Sequence, residues 1–250
     1  MGRELMHTDF EKRAPGPYRV DMVAEDFGDM PTWNNGLDEG RATIVEESGA
    51  HFLRVTYPAG QFGPKDAGVQ FVVSLPQGQD EVFLSYRVRF GQGFQFVKGG
   101  KLPGMVGGTS PTGCLTTLSE VEGGFSARMM WRRNGAAVQL MYTSALVDLC
   151  GDDFPYMLGG AAARFVPGLW QQVFHHLRMN TPGQADGVIQ AWLGGRLALD
   201  RHDVAFRGPA HDFMIDALYF STFFGGSDAT WAPSTDQVVD YDDFVVSLPG

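Results

Sequence analysis

The sequence is poor in cysteine, in positive charge and in long apolar runs, and each shortage removes a class of protein. Cys114 and Cys150 are the only cysteines among 250 residues, with no CxxC and no zinc-type spacing. Zinc modules and disulfide-dense scaffolds are therefore excluded. The pair reads as two buried thiols ahead of a single disulfide. Lysine and arginine number 19 against 29 aspartates and glutamates, a net charge of −10. That balance argues against a general nucleic-acid or membrane-surface binder. It leaves an anionic ligand open, because exposed charges are screened beyond roughly 10 Å and a local basic strip keeps its own field. No apolar run approaches the roughly 20 residues of a membrane-spanning helix. Met1 to Pro15 is charged where a secretory leader would be apolar. No long stretch carries the 3.6-residue apolar period of an amphipathic helix.

What the chain does have is 33 glycines, 14 prolines and 12% aromatic residues, the mixture required by many short strands joined by tight turns. Strand-like segments recur at Ala42–Glu46, His51–Tyr57, Val69–Leu75, Glu81–Phe90, Gly124–Arg132, Ala137–Ser144, Gln171–Met179, Gly187–Leu193, Arg196–Asp200, Phe213–Phe224 and Asp243–Leu248. Ile215–Leu218 also suits a short turn of helix. Asn34-Asn35-Gly36, Asn134-Gly135 and Gly194-Gly195 supply positive φ between strands. With no repeat or linker, the expectation is a single all-β domain over residues 1–250, with 1–16 as a flexible extension. A two-sheet antiparallel sandwich of jelly-roll type is the economical assembly.

Strand alternation sorts side chains by face. Val82, Leu84, Tyr86, Val88 and Phe90 share a core-like side, and Ser85, Arg87 and Arg89 share the other. Phe125, Ala127, Met129 and Trp131 share one side of the next polar strand, against Ser126, Arg128, Met130 and Arg132. A face of serine and arginines suits the floor of a groove, and Arg87 and Arg89 would extend its basic track.

Three segments carry a resemblance. Val97-Lys98-Gly99-Gly100-Lys101-Leu102-Pro103-Gly104, the Gly124-to-Arg132 strand, and Phe223-Phe224-Gly225-Gly226 resemble polysaccharide lyase family 14, over about Val82 to Val246. The resemblance implies a β-jelly-roll with a groove across its concave sheet. It also implies a metal-independent lyase, with no cofactor, acting on an acidic polyuronate such as alginate or glucuronan. By position, Lys101 is the motif lysine with Lys98 beside it, and Ser126 and Arg128 are the serine and arginine. The family usually places two tyrosines two residues apart on the next strand. Here the second is Tyr142, and the first position holds Leu140.

β-Elimination explains why these residue types belong together. Removing the weakly acidic C5 proton of a uronate, with O4 leaving, requires stabilising charge on the carboxylate. Arg128 suits that role as a bidentate cation, shared with Lys98 or Lys101, and Ser126 adds a hydrogen bond. Tyr142, its pKa lowered by cationic neighbours, would serve as base and then acid. For it to share a face with Arg128, the hairpin after Arg132 must have an odd loop or a bulge. A loop over Asn134 to Ala136 pairs Arg128 with Tyr142 and Ser126 with Ser144.

Arg132 and His176 are further substrate-binding candidates, although His175 and His176 must point to opposite faces of one strand. Asp240, Asp242 and Asp243 read as an exposed acidic turn in preference to a calcium site, so no metal is expected. Of Trp131, Trp170, Trp192 and Trp231, one is expected in the groove for sugar stacking. The expected partner is an acidic polysaccharide, with no nucleic acid or membrane, and the chain is expected to be a monomer. A non-catalytic carbohydrate-binding jelly roll is the alternative. A glycoside hydrolase would need paired carboxylates on a strand, and Glu120 and Glu122 precede Gly123-Gly124 in a loop instead.

Overall fold

The computed structural model of the protein describes residues 2–250. Two antiparallel sheets stack face to face as a β-sandwich of jelly-roll type. The smaller sheet holds seven strands, in spatial order Asp152–Pro155, Ala137–Tyr142, Gly124–Arg132, Gly99–Gly108, Ile215–Phe224, Gly68–Gln79 and Asn34–Asn35. The larger sheet has nine, centred on Glu81–Phe90 between Gln171–Arg178 and Gln237–Ser247. No helix among the described residues is long and apolar enough to cross a membrane.

The period-2 pattern builds the core as expected. Val82, Leu84, Tyr86, Val88 and Phe90 from the larger sheet face Phe125, Ala127, Met129 and Trp131 from the smaller one, all nearly inaccessible to solvent. Trp131 is wedged among Tyr57, Phe90, Phe94 and Phe224 at centroid distances of 5.3 to 6.1 Å. Truncating a ring packed this way typically costs about 3–5 kcal/mol. The same ring explains Gly100, where an added Cβ would lie 2.1 Å from the indole.

Three expectations are corrected. Of the expected extension over 1–16, the described residues 2–16 are not loose, because Glu4–Thr8 pairs with the last strand up to Ser247 and Phe10 is buried against Tyr18 and Phe27. Ile215–Leu218 is strand, zipped between Gly68–Gln79 and Gly99–Gly108. Cys114 and Cys150 are joined as a disulfide. They lie in separate loops, and only the folded path of the chain brings those loops together.

The hairpin after Arg132 has the expected parity in a different register. Asn134 and Gly135 both take positive φ, 57° and 74°, and the Ala136 N–H closes the turn on the Arg133 carbonyl at 3.3 Å. The next bond joins the Arg132 N–H to the Ala136 carbonyl at 2.7 Å, leaving Arg133 as an extra, bulged residue. Arg128 therefore opposes Leu140, and Tyr142 opposes Ser126, not Ser144. Tyr142 and Arg128 still share the outer face.

A second irregularity fixes the lysine. Lys101 and Gly104 are three apart and would ordinarily face opposite ways. The register shifts between Leu102 and Gly104, where Pro103, with no N–H to give to the ladder, is the added residue. Both residues then face outward, Lys101 opposite Met130 and Gly104 opposite Arg128. A Cβ on Gly104 would fall 2.1 Å from the Ala127 carbonyl oxygen and 2.5 Å from the Arg128 Cα. Gly104→Ala is expected to cost about 1–3 kcal/mol by overpacking, read as a thermal midpoint lowered by several degrees, and to displace Arg128. An unchanged midpoint would show that the bulge absorbs the methyl group.

Candidate active site

The outer face of the smaller sheet carries side chains in rows that run across the strands. One row is Phe223, Lys101, Met130 and Val138. The next is Val72, Tyr219, Gly104, Arg128 and Leu140, and the third is Ser74, Ala217, Val106, Ser126 and Tyr142. The Arg128 guanidinium reaches across the sheet to within 5.1 Å of the Tyr219 ring and donates from Nη1 to Ser221 Oγ at 3.1 Å. Gln70 accepts from the Tyr219 hydroxyl at 3.0 Å and steadies that ring.

Above these rows lies a cavity of about 560 Å³. Lys101, Arg128, Met130 and Tyr219 line its interior. One wall is made by the loops holding Gly113, Cys114, Asp148 and Cys150, joined by the disulfide. The facing wall is Gly225, Gly226 and Trp231, whose indole lies where a Gly226 Cβ would be, 2.1 Å away.

The charges are unusual for such depth. Arg128 is 1% exposed, and its Nε and Nη2 have no hydrogen-bond partner. Burying a guanidinium with unmet donors is costly unless something anionic completes it. Ser126 Oγ, fully buried in the neighbouring row, is also without a partner. Lys101 is half-buried with Nζ 2.9 Å from Met130 Sδ. Burial, then Arg128 and Arg132, hold its ammonium well below the ordinary lysine range. Tyr142 moves the other way: burial raises its pKa, and Arg128 pulls it down less strongly. The expected lowering is thus reversed. Its hydroxyl lies 2.5 Å from the Gly113 carbonyl and 2.6 Å from that of Cys150.

Lys101, Arg128, Ser126 and Tyr142 are thus brought onto one face, with Arg132 beside them, paired to Asp153 through two bonds of 2.6 and 2.7 Å. Lys98 stands outside the cavity at the Trp231 wall, its Nζ 5.6 Å from that indole and bonded to Thr230. Arg87, Arg89 and His176 do not join the site. They lie on the outer face of the larger sheet, on the far side of the core. Arg89 is paired with Asp240 and Glu47, Arg87 with Asp242 and Asp243, and His176 with Glu81. Alternation assigned their side of the strand correctly, but a sandwich has two outer faces.

His175 points the other way, into the core, where its Nε2 is 2.8 Å from the Tyr156 hydroxyl and burial lowers its pKa to about 3. Of the four tryptophans weighed, Trp231 is the one in the cavity wall. Trp131 is core, and Trp170 and Trp192 are on the larger sheet. No group of three or more His, Cys, Asp or Glu able to hold a metal comes together among the described residues. Tyr219, Gln70 and Met130 were not singled out from sequence. Met130 sat in view on the Arg128 face, while Tyr219 and Gln70 arrive from strands with no polar pattern of their own.

The model of the family described as polysaccharide lyase 14 matches residues 45–244. The chain belongs to polysaccharide lyase family 14. No curated protein matches it. Among solved structures it is similar to the alginate lyase Aly36B, 24% identical over 97% of this chain and 96% of that one, with a TM-score of 0.82. A variant of Aly36B with a lysine and a tyrosine replaced by alanine has been solved with alginate tetrasaccharide. A family 14 alginate lyase from Aplysia kurodai is 22% identical over 99% and 100% of the two chains, TM-score 0.80. The endo-β-1,4-glucuronan lyase of Trichoderma reesei is 13% identical over 99% and 96%, TM-score 0.60. At these identities the likeness carries the fold, and the family match carries the class of enzyme.

Proposed function

We propose that this polysaccharide lyase cleaves a polyuronate, poly-mannuronate or glucuronan, by β-elimination at Arg128 and Lys101. The observation that carries the reading is the buried Arg128 guanidinium with two donors unmet inside a cavity. A uronate carboxylate offers the two acceptor oxygens that complete it. Neutralising that carboxylate stabilises the charge that develops when the C5 proton leaves, the task a metal ion would otherwise perform.

Lys101 and Tyr142, in the rows on either side of Arg128, are pushed apart in pKa, and this divides the proton work between them. Lys101, depressed, is the base: its neutral amine takes the C5 proton. The C5–H electrons form the C4=C5 double bond, and the C4–O4 bond breaks. Tyr142, held protonated by burial, supplies the proton to O4. In the free protein the single proton of that hydroxyl is shared between the Gly113 and Cys150 carbonyls, so productive binding turns it from both of them to O4. Trp231 supplies an apolar wall for a neighbouring sugar ring. The alginate and glucuronan lyases that share the fold support the substrate class.

The test is the ultraviolet absorbance of the new double bond on poly-mannuronate, poly-guluronate and poly-glucuronate. A rise is expected on at least one polymer, undiminished by a chelator and abolished by Lys101→Ala. The rate should climb as pH rises through the lowered Lys101 pKa, since only the neutral amine accepts a proton. Tyr142→Phe retaining near-normal turnover would remove that residue from the mechanism. No rise on any polymer would overturn the reading.

A further inference from the structure

We infer that the segment ahead of the family-matched region adds a sugar-binding subsite, a pyranose platform at Trp33. Residue 33 precedes the matched span of 45–244, in a segment that joins the smaller sheet through the pairs Asn34 with Phe71 and Asn35 with Gln70. Its indole meets the Tyr219 ring edge-on at 5.9 Å and 90°. The Tyr219 ring in turn stands 5.1 Å from the Arg128 guanidinium carbon. A single aromatic ring therefore separates the indole from the proposed carboxylate site.

Trp33 is nevertheless 43% exposed, while Trp131 is fully buried in the core. Its contact with Tyr219 is perpendicular, and Tyr219 itself is 7% exposed. Part of the indole thus meets Tyr219, which lines the cavity, and the rest remains in water. An uncovered indole in line with a cationic cavity has the chemistry that recognises the apolar C–H face of a pyranose ring. A polymer whose carboxylate meets Arg128 would lay a nearby ring on Trp33, across Tyr219 from the guanidinium. The ligand class rests on the lyase reading; the platform itself is geometric.

The experiment measures binding of a uronate hexasaccharide and a disaccharide to the Lys101→Ala protein, with and without Trp33→Leu or Trp33→Ala. Leucine keeps an apolar side chain against Tyr219 and removes the flat face, so a loss shared by both variants is not a folding defect. We expect about a tenfold loss of hexasaccharide affinity in both and little change for a disaccharide held at Arg128. In the otherwise native enzyme, KM on polymer should rise by a similar factor with kcat within about twofold. Unchanged hexasaccharide affinity in both variants overturns the platform, even if the enzyme cleaves polyuronates normally. Trp33-dependent binding by a protein that cleaves nothing supports the platform and removes the lyase reading. Absence of hexasaccharide binding overturns both.

Discussion

Arg128→Met should abolish polyuronate cleavage and leave the protein as stable as before, or more so. The two halves of this result have one cause. In the free protein the guanidinium is 1% exposed, donates one hydrogen bond to Ser221 and leaves Nε and Nη2 without partners. Burial also draws its pKa down. A charge held in that way costs folding energy, and an apolar side chain of similar length removes the cost without opening a void. Catalysis loses the donors aimed at the charge that develops on the carboxylate. Removing one such donor typically costs 10²–10³ in turnover, so losing a bidentate pair should lower kcat/KM by about 10³ or more. Arg128→Lys should recover little, because one ammonium cannot supply two parallel N–H groups. A thermal midpoint beside initial rates decides the matter. A Met variant that unfolds early would make Arg128 a structural residue, and one that still cleaves would move the carboxylate site elsewhere.

The second large effect belongs to the disulfide. Cys114→Ser with Cys150→Ser opens a bridge between residues 36 apart in sequence, worth about 3–4 kcal/mol in chain entropy. At roughly 2–4 °C per kcal/mol for a domain of this size, the midpoint should fall by about 10 °C. The local consequence is sharper. Both acceptors of the Tyr142 hydroxyl are carbonyls of these loops, Gly113 beside one cysteine and Cys150 itself. The bridge and the Leu115 N–H to Leu149 carbonyl bond of 2.8 Å hold them in place. The serine pair is therefore expected to lose turnover on top of stability, at temperatures where it is still folded. Full turnover in the folded variant would show that Tyr142 and its wall need no clasp.

The sequence made the local geometry legible and left the long-range assembly obscure. Alternation in Glu81–Phe90 and Gly124–Arg132 named the inward residues of both strands correctly, because in each the side facing the core is apolar and the other side carries the serine and arginines. It did not say that Arg87 and Arg89 belong to the far side of the sandwich, where Asp240, Asp242 and Asp243 neutralise them. The odd parity of the hairpin was legible in the need for Arg128 and Tyr142 to share a face, but not its register. That depended on whether Arg133 or Ala136 would be the extra residue. Tyr219, Gln70 and Trp33 reach the site only because the strands carrying them pair across the sheet, and the Cys114–Cys150 bridge reflects two loop paths set by the whole fold.

The bulged Arg133 has a wider implication for how such a chain can change. The turn that follows it would close without it, and the remaining strand would still pair. Yet losing that one exposed residue exchanges every odd position of Ala137–Tyr142 for every even one: Met141 would come to the surface and Tyr142 would go inside. A substitution along this strand alters one side chain at a time, but the gain or loss of a single residue at the bend turns all of them over at once. Chain length at that corner therefore matters to the site as much as the side chains that line it.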